Sequence, residues 1–558
     1  MRISEPPPQA ENGRIGEPAG GDAPLAEAIL SGGWDTERDL VVLVGAAPAR
    51  AAVELQRLGQ QRILWFRTGD DVGTEPPVGV IRVDHLDEVA AAVRALGALG
   101  PHRVTGRPLE AVQAQLYTQV IARIERARCQ RFLSSEPGGG TAEARTRIEH
   151  GLANLPALCR WPGAASIGSL AGAPLIIVAP GPGLQRNVGM LGALRDRAVV
   201  LALSHSLAPL QRAGITPDFV LAADGHDVSH HLAEEDLSSL AGMVVTATAH
   251  PRLFQTMAPR HMTLREPGPI DSWLIEIASG GSPGASDPTA LIPTGGSVAH
   301  TALALGLAWG CNPIGFVGLD LSFPGGSYYA EGSRDQDVRA VASADGHSVS
   351  LEGWSDAAHR GREPVSERLV QLPGWDGHPL PSSFHFSMCQ RWFEETARRM
   401  AGTVRLYNCS EGGAYIGGMR HIKLSGLASR LPPPIRFEPT AAASRATGEM
   451  DPRSRRRAAR ERLVELMLEL RRCPALSASE LAGLVSAVPL LSALVEAELG
   501  AAAPGASSSD AERRRAALLR WAVWLEPRVV EAERALARED RSSETMRLRP
   551  MAVAGQGG

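Results

Sequence analysis

The chain has 558 residues, enough for about three or four domains at roughly 150 residues each. Its 57 basic and 61 acidic residues leave a formal charge of -4, which argues against a polyanion binder working through bulk charge, although a local basic groove stays open. Lysine occurs once, at Lys423, so a Walker lysine in its motif is impossible, and six cysteines without CxxC spacing indicate neither a disulfide scaffold nor a zinc ribbon.

Residues 1–30 are rich in Pro, Gly, Glu and Ala and are expected to be a disordered arm. The start lacks an apolar signal core, and no uncharged apolar run reaches about 18 residues, so a cytoplasmic protein without a membrane span is expected. From Leu40 the run LVVLVGA leads into an amphipathic stretch near Ala51–Leu58, followed by RILWF at 62–66 and GVIRV at 79–83. Strands alternating with helices predict a small α/β domain over 31–160, with 108–160 as a helical connector. The first turn, Gly45-Ala46-Ala47-Pro48, is too poor in glycine to cradle a pyrophosphate and is read as structural or acceptor-docking.

The centre, 161–435, carries near-continuous apolar runs at Leu175–Ala179, Ala198–Leu203, Phe219–Ala223, Met243–Ala247 and Ile314–Gly318. Helical patterns lie at 186–195, 206–213 and 297–309. Strands apolar on both faces predict a parallel, doubly wound Rossmann-like sheet. After Pro432-Pro433-Pro434 the composition turns to Arg, Ala, Leu and Glu, predicting an all-helical domain over 440–540 and a disordered tail over 541–558. The run Arg453-Ser454-Arg455-Arg456-Arg457 reads as a solvated helix start rather than a nucleic-acid contact, since aromatic residues are not interleaved with it.

Ligands of open parallel sheets bind beyond the strand carboxyl ends, where strand order reverses. Those ends here carry Pro180-Gly181-Pro182-Gly183-Leu184-Gln185-Arg186-Asn187, Ser204-His205-Ser206, Asp224, Thr294-Gly295-Gly296-Ser297 and Asp320. Helix starts suit phosphate and carboxylates suit ribose or sugar hydroxyls, so the rim is nucleotide-shaped. NAD is disfavoured: Arg186 stands where G-x-G-x-x-G needs its third glycine, and the second strand ends without the ribose-binding acid. His226, His230 and His231 read as a solvated loop, because no further ligand is spaced to complete a zinc set. Asp335-Gln336-Asp337 matches a short acid-x-acid metal motif but also reads as a loop, so no metal residue is assigned.

The segments APGPGLQRN, GITPDFVLAADG, PTGGSVAHTALALGLAWGCNPIGFVGLDLSF and NCSEGGAYIGGMRHIKL, in this order, resemble the motility-accessory-factor (Maf) flagellin glycosyltransferases. The core of that family is shared with 6-hydroxymethylpterin pyrophosphokinase-like (MptE-like) proteins, and PSSFHFSMCQRWFEETA matches its aromatic-rich helix. The likeness covers about 170–425 well. It implies a sialyltransferase-like central domain that moves a nonulosonic acid of pseudaminic or legionaminic type from a CMP-sugar to Ser or Thr hydroxyls of flagellin. On that likeness Gly181, Gly183, Arg186, Asn187, Ser206, Asp224, Thr294, Gly295, Gly296 and Ser297 are expected to bind the donor. Asp320, Tyr329 and Glu411 are the expected catalytic residues. No cofactor is required by this reading, and a divalent metal is left open.

Two departures stand out. The family's Gly-x-Gly-Pro-Ser-Leu is here Ala179-Pro180-Gly181-Pro182-Gly183-Leu184, and its Thr-His pair is replaced by Ser327-Tyr328-Tyr329. An unperturbed phenol ionises near pH 10, which makes Tyr329 a poor substitute for a histidine base. Glu411 is the next candidate base, with a helix-cap or turn role as its alternative. The other functional readings are a pterin pyrophosphokinase-like phosphotransferase and a non-catalytic flagellin-binding assembly factor.

Overall fold

The computed structural model describes residues 40–68, 78–93, 104–124, 140–279, 297–354, 366–432, 451–495 and 508–548, with short breaks inside several of these ranges. The expected arm at 1–30 lies outside them. The chain divides into two compact units, Met1–Gly138 and Gly139–Gly558.

In the first unit the apolar runs form β1 (Leu40–Gly45), β2 (Arg62–Arg67) and β3 (Val80–Val83), with α1 (Ala49–Arg57) after β1. β4 (Val104–Pro108) completes a parallel sheet of order β3-β2-β1-β4. Alternate β1 side chains enter different cores, Val42 and Val44 one and Val41 and Leu43 the other, as a strand covered on both faces requires.

The second unit opens with α2 (Gly140–Arg160) and is built on an eight-stranded parallel sheet. Its strands are β5 (Leu175–Val178), β6 (Val199–Leu203), β7 (Phe219–Ala222), β8 (Gly242–Thr246), β9 (His261–Leu264), β10 (Ile314–Val317), β15 (Leu406–Asn408) and β16 (Arg420–His421). The order β16-β15-β10-β5-β6-β7-β8-β9 means the chain builds outward from β5 to one edge, then returns to lay β10 on the other side of β5. Strand order therefore reverses between β5 and β10, which are paired directly from Ile314 against Leu175 to Val317 against Val178.

One face of this sheet is covered by α3 (Leu184–Leu191), α4 (Leu207–Arg212) and α8 (Leu424–Ala428), whose leucines join Ile176, Val178, Val200 and Val220 in one core. α6 (Val298–Ala308) packs on the other, where Trp309 meets Phe219 with ring centroids 4.9 Å apart and donates its indole N–H to the Ala164 carbonyl. The fold is thus the α/β, doubly wound one that the apolar runs predict.

Between β10 and α7 (Phe384–Arg399) the chain inserts an antiparallel sheet, β11 (Arg339–Ala342), β12 (Ser348–Glu352), β13 (Ser366–Pro373) and β14 (Pro379–Ser383). The run reading does not find this sheet. Its strands are half-exposed and interrupted by Ser, Glu and Pro, so they carry no continuous apolar signal.

α9 (Pro452–Arg472) and α10 (Ser508–Leu548) form the helical region. They share one core with α2 and with α5 (Pro269–Ala278), so residues 140–160, the last part of the stretch read as a connector, pack within the second unit. α10 is helical to Leu548, past the start of the expected tail. The arginine run also differs from the solvated helix start expected for it: Arg455 and Arg456 are buried. Arg456 pairs with Asp540 at 2.9 Å, so the facing helix supplies a carboxylate that makes its burial tolerable, and the more exposed Arg460 pairs with Glu533 at 2.8 Å.

Among the described residues no helix is long and apolar enough to cross a membrane. Asp540→Ala leaves the Arg456 cation without its carboxylate and is expected to cost about 2 kcal/mol. Glu461→Ala, which breaks the exposed pair with Arg457, should cost under about 0.5 kcal/mol. Calorimetric melting midpoints of both variants check the contrast, and equal shifts would show that burial does not set the strength of these pairs.

Candidate functional site

The reversal of strand order places the turn after β5 against the turn after β10. Gly181 donates its N–H to the Gly318 carbonyl at 3.0 Å, and Gly183 donates to Oδ2 of Asp320 at 2.8 Å. A side chain cannot be fitted between these turns. A Cβ on Gly183 would lie 2.6 Å from Oδ1 of Asp320 and 2.8 Å from the Ser410 carbonyl, and one on Gly181 would overlap the Asp320 carboxylate and the Gly318 carbonyl. Gly413, at φ 77°, closes over the Asp320 backbone from the turn after β15, and Ala414 N–H donates to the Asp320 carbonyl at 2.7 Å. Ser410 joins the same junction by accepting from Leu319 N–H at 2.8 Å.

Asp320 is 3 % exposed. Burial pushes its carboxyl up to about 6, against the opposing pull of the Gly183 N–H and the Arg186 charge. It lies at the floor of a cleft of about 310 Å³ along the carboxyl ends of β5, β6, β7 and β10. Tyr328, Tyr329, Trp354 and Phe386 line the same cleft. Tyr328 stacks on Phe386 with planes 9° apart, and Trp354 meets both tyrosines edge-on at 6.1 Å. Such aromatic faces suit a sugar or a base.

Of the residues expected to bind the donor, the structure brings Gly181, Asp224 and Ser297 to the cleft, and of the expected catalytic set it brings Asp320 and Tyr329. Asp224 ends β7 half-buried. Burial alone would raise its carboxyl, but hydrogen bonds from the His226 ring and backbone N–H outweigh that and hold it below the ordinary value. Ser297 is the N-cap of α6, its Oγ accepting from Ala299 N–H at 3.2 Å, and Ser297, Val298 and Ala299 all face the cleft. The positive end of the helix is thereby turned to any ligand there.

The other expected residues are held elsewhere. Gly183 lies behind the floor. Arg186 is exposed and donates to the Glu411 carbonyl, while Asn187 is buried and donates to the Cys409 carbonyl at 3.1 Å. Ser206 is fully buried with its hydroxyl on the Val178 carbonyl at 2.9 Å. Glu411, at φ 55°, accepts Leu424 N–H at 3.1 Å, so its carboxylate caps α8. Thr294, Gly295 and Gly296 lie outside the described residues.

His205, from a strand-end turn, and His231 and Asp335, read as loop residues, also line the cleft. His205 Nε2 is 2.7 Å from Oδ2 of Asp335, and His231 Nε2 and His230 Nε2 are 3.7 and 3.5 Å from the same oxygen. Tyr329 stacks on His205 at 4.2 Å. Burial lowers both His205 and His231, the latter to about 3 despite its contact with Asp335, so both rings are neutral near pH 7. Asp337 is exposed, so the two acids of Asp335-Gln336-Asp337 do not act together. The signal that could have found this set is the histidine in Ser204-His205-Ser206, at a strand end on the same rim as Asp224.

An open parallel sheet with a cleft at its strand-order reversal, a helix start and buried carboxylates is an α/β domain of the doubly wound class. Residues 149–326, which hold the first three of the central motifs, match the family model for 6-hydroxymethylpterin diphosphokinase MptE-like proteins. A solved MAf glycosyltransferase from Magnetospirillum magneticum AMB-1 aligns with 90% of this chain and 78% of its own, at 14% identity and a TM-score of 0.47. No curated protein matches the chain.

Gly183→Ala is expected to lower the melting midpoint through about 1–3 kcal/mol of overpacking at Asp320. Gly189→Ala, in α3 with open space around it, should instead stabilise by about 0.5–1 kcal/mol. Thermal melting of the pair checks the opposite signs.

Proposed function

We propose that the cleft belongs to a glycosyltransferase that moves a nonulosonic acid from a CMP-activated donor to Ser or Thr hydroxyls of flagellin. The observation that carries this reading is the convergence of sequence motifs on one carboxylate. Asp320 comes from the third segment of the Maf-like set, its Gly181 and Gly183 neighbours from the first, and Gly413 and Ser410 from the fourth. The second segment supplies Asp224 to the same cleft.

The chemistry follows from the placement. The acceptor oxygen forms a bond to the anomeric carbon as the bond from that carbon to the CMP phosphate breaks, and the sugar passes through oxocarbenium-like charge. The CMP phosphate leaves with the bonding electron pair towards the start of α6. The acceptor proton goes to Asp320, whose raised pKa keeps it basic enough to accept it yet ionised near neutrality. Tyr328, Trp354 and Phe386 offer faces to the sugar or cytosine. Tyr329, stacked on His205, is a wall of the site in this reading rather than its base.

Asp320→Asn is expected to lower CMP release in the presence of CMP-nonulosonate and flagellin by about 100-fold or more while leaving the protein folded. Since the reaction needs the ionised carboxylate, wild-type activity should fall as pH drops through about 6. Unchanged flagellin mass with wild-type protein and donor would reject the reading. The description of the matched family model favours a second one, diphosphate transfer to a hydroxymethylpterin. Release of AMP from ATP with 6-hydroxymethylpterin, and no CMP release with flagellin, would establish it instead.

A further inference from the structure

We propose that His205, His231 and Asp335 bind a divalent first-row transition metal such as Zn²⁺ on the wall of the cleft. Three separate elements deliver them: His205 follows β6, His231 lies in the loop after β7, and Asp335 lies beyond β10. One ligand atom from each lies within 4.8 Å of the other two. Metal–ligand bonds of about 2.1 Å set neighbouring donors roughly 3.0–3.4 Å apart. The observed separations from Oδ2 of Asp335, 2.7 Å to His205 and 3.7 Å to His231, bracket that range, and the two histidine donors close on an ion from within 4.8 Å of each other.

The donor chemistry is selective. Two imidazoles with one carboxylate suit zinc or iron better than magnesium, which prefers oxygen ligands. Asp335 is fully buried at its side chain and His231 nearly so, which a lone carboxylate in a solvated loop would not be. Ser204 Oγ lies 3.2 Å from His231 Nδ1; in the tautomer protonated there, His231 donates to Ser204 and turns the Nε2 lone pair towards Asp335. His205 reaches the same state by carrying its proton on Nδ1, so its Nε2 exchanges a hydrogen bond to Asp335 for a metal bond. His205, His231 and Asp335 all line the cleft, so coordination positions not filled by protein open towards its ligand. There the ion would polarise a phosphate oxygen of the leaving group; this role, unlike metal binding itself, rests on the transferase reading.

The test uses the full chain, stripped with a chelator and titrated with Co²⁺ or Zn²⁺ alone. One equivalent is expected per chain, with X-ray absorption showing imidazole and carboxylate ligation, and the melting midpoint should rise with metal. His231→Ala and Asp335→Asn should each weaken binding by at least about tenfold, while His378→Ala, on the exposed β13–β14 turn, should leave it unchanged. Wild-type protein that retains well under one equivalent, or an absorption spectrum without imidazole ligands, overturns the proposal even if the variants fail to fold. Metal binding without sugar transfer would count against the transferase reading alone. Transfer by metal-free protein with no bound ion on titration would count against the metal alone.

Discussion

The hydrogen bond from Gly183 N–H to the buried Asp320 carboxylate ties together the two strands between which the sheet changes direction. Neither group could be placed alone. The carboxylate needs a donor to offset its desolvation, and the turn after β5 must be free of side chains to bring that donor close. Gly413 and Ser410 add the turn after β15, so three chain segments meet at one atom group. The glycines of this turn are therefore explained first by packing against Asp320, before any phosphate is considered.

Around this junction the rest of the second unit supplies walls. α6 aims its N-terminus into the cleft from one face of the sheet. The stretch from β10 to α7 contributes the aromatic side through Tyr328, Trp354 and Phe386. The helical region stands apart in its chemistry: α9 and α10 bury leucines against α2 and α5, and their arginines are spent on carboxylates of the facing helix rather than on a polyanion. Near-neutral net charge and this internal pairing agree with a protein that does not hold a partner by bulk charge.

Much of the sheet was legible because parallel strands buried on both faces are written as unbroken apolar runs. β5, β6, β7, β8 and β10 fall within a residue or two of the runs that predict them. β9, β15 and β16 were not legible because they are two to four residues long and include polar residues, and the inserted sheet because its strands are half-exposed and broken by Ser, Glu and Pro. In the cleft, Asp224, Ser297 and Asp320 could be read as strand-end or helix-start positions. Ser206 could not be told from them by position, yet its hydroxyl turns inward to the Val178 carbonyl. Glu411 could be read as a base or as a cap, and its carboxylate accepts Leu424 N–H at the start of α8.

The amino-acid sequence by itself determined the class of fold, the rim on which chemistry-bearing residues gather, and the exclusion of a Walker lysine, because periodicity and residue counts are local properties. Tertiary structure decided which rim residues face the cleft, since that depends on the strand order that sets β10 beside β5. It also decided that His205, His231 and Asp335, far apart along the chain, converge within 4.8 Å, and that Arg456 is buried against Asp540. Spacing along the chain carries no record of such meetings, which arise only when separate elements close on one another.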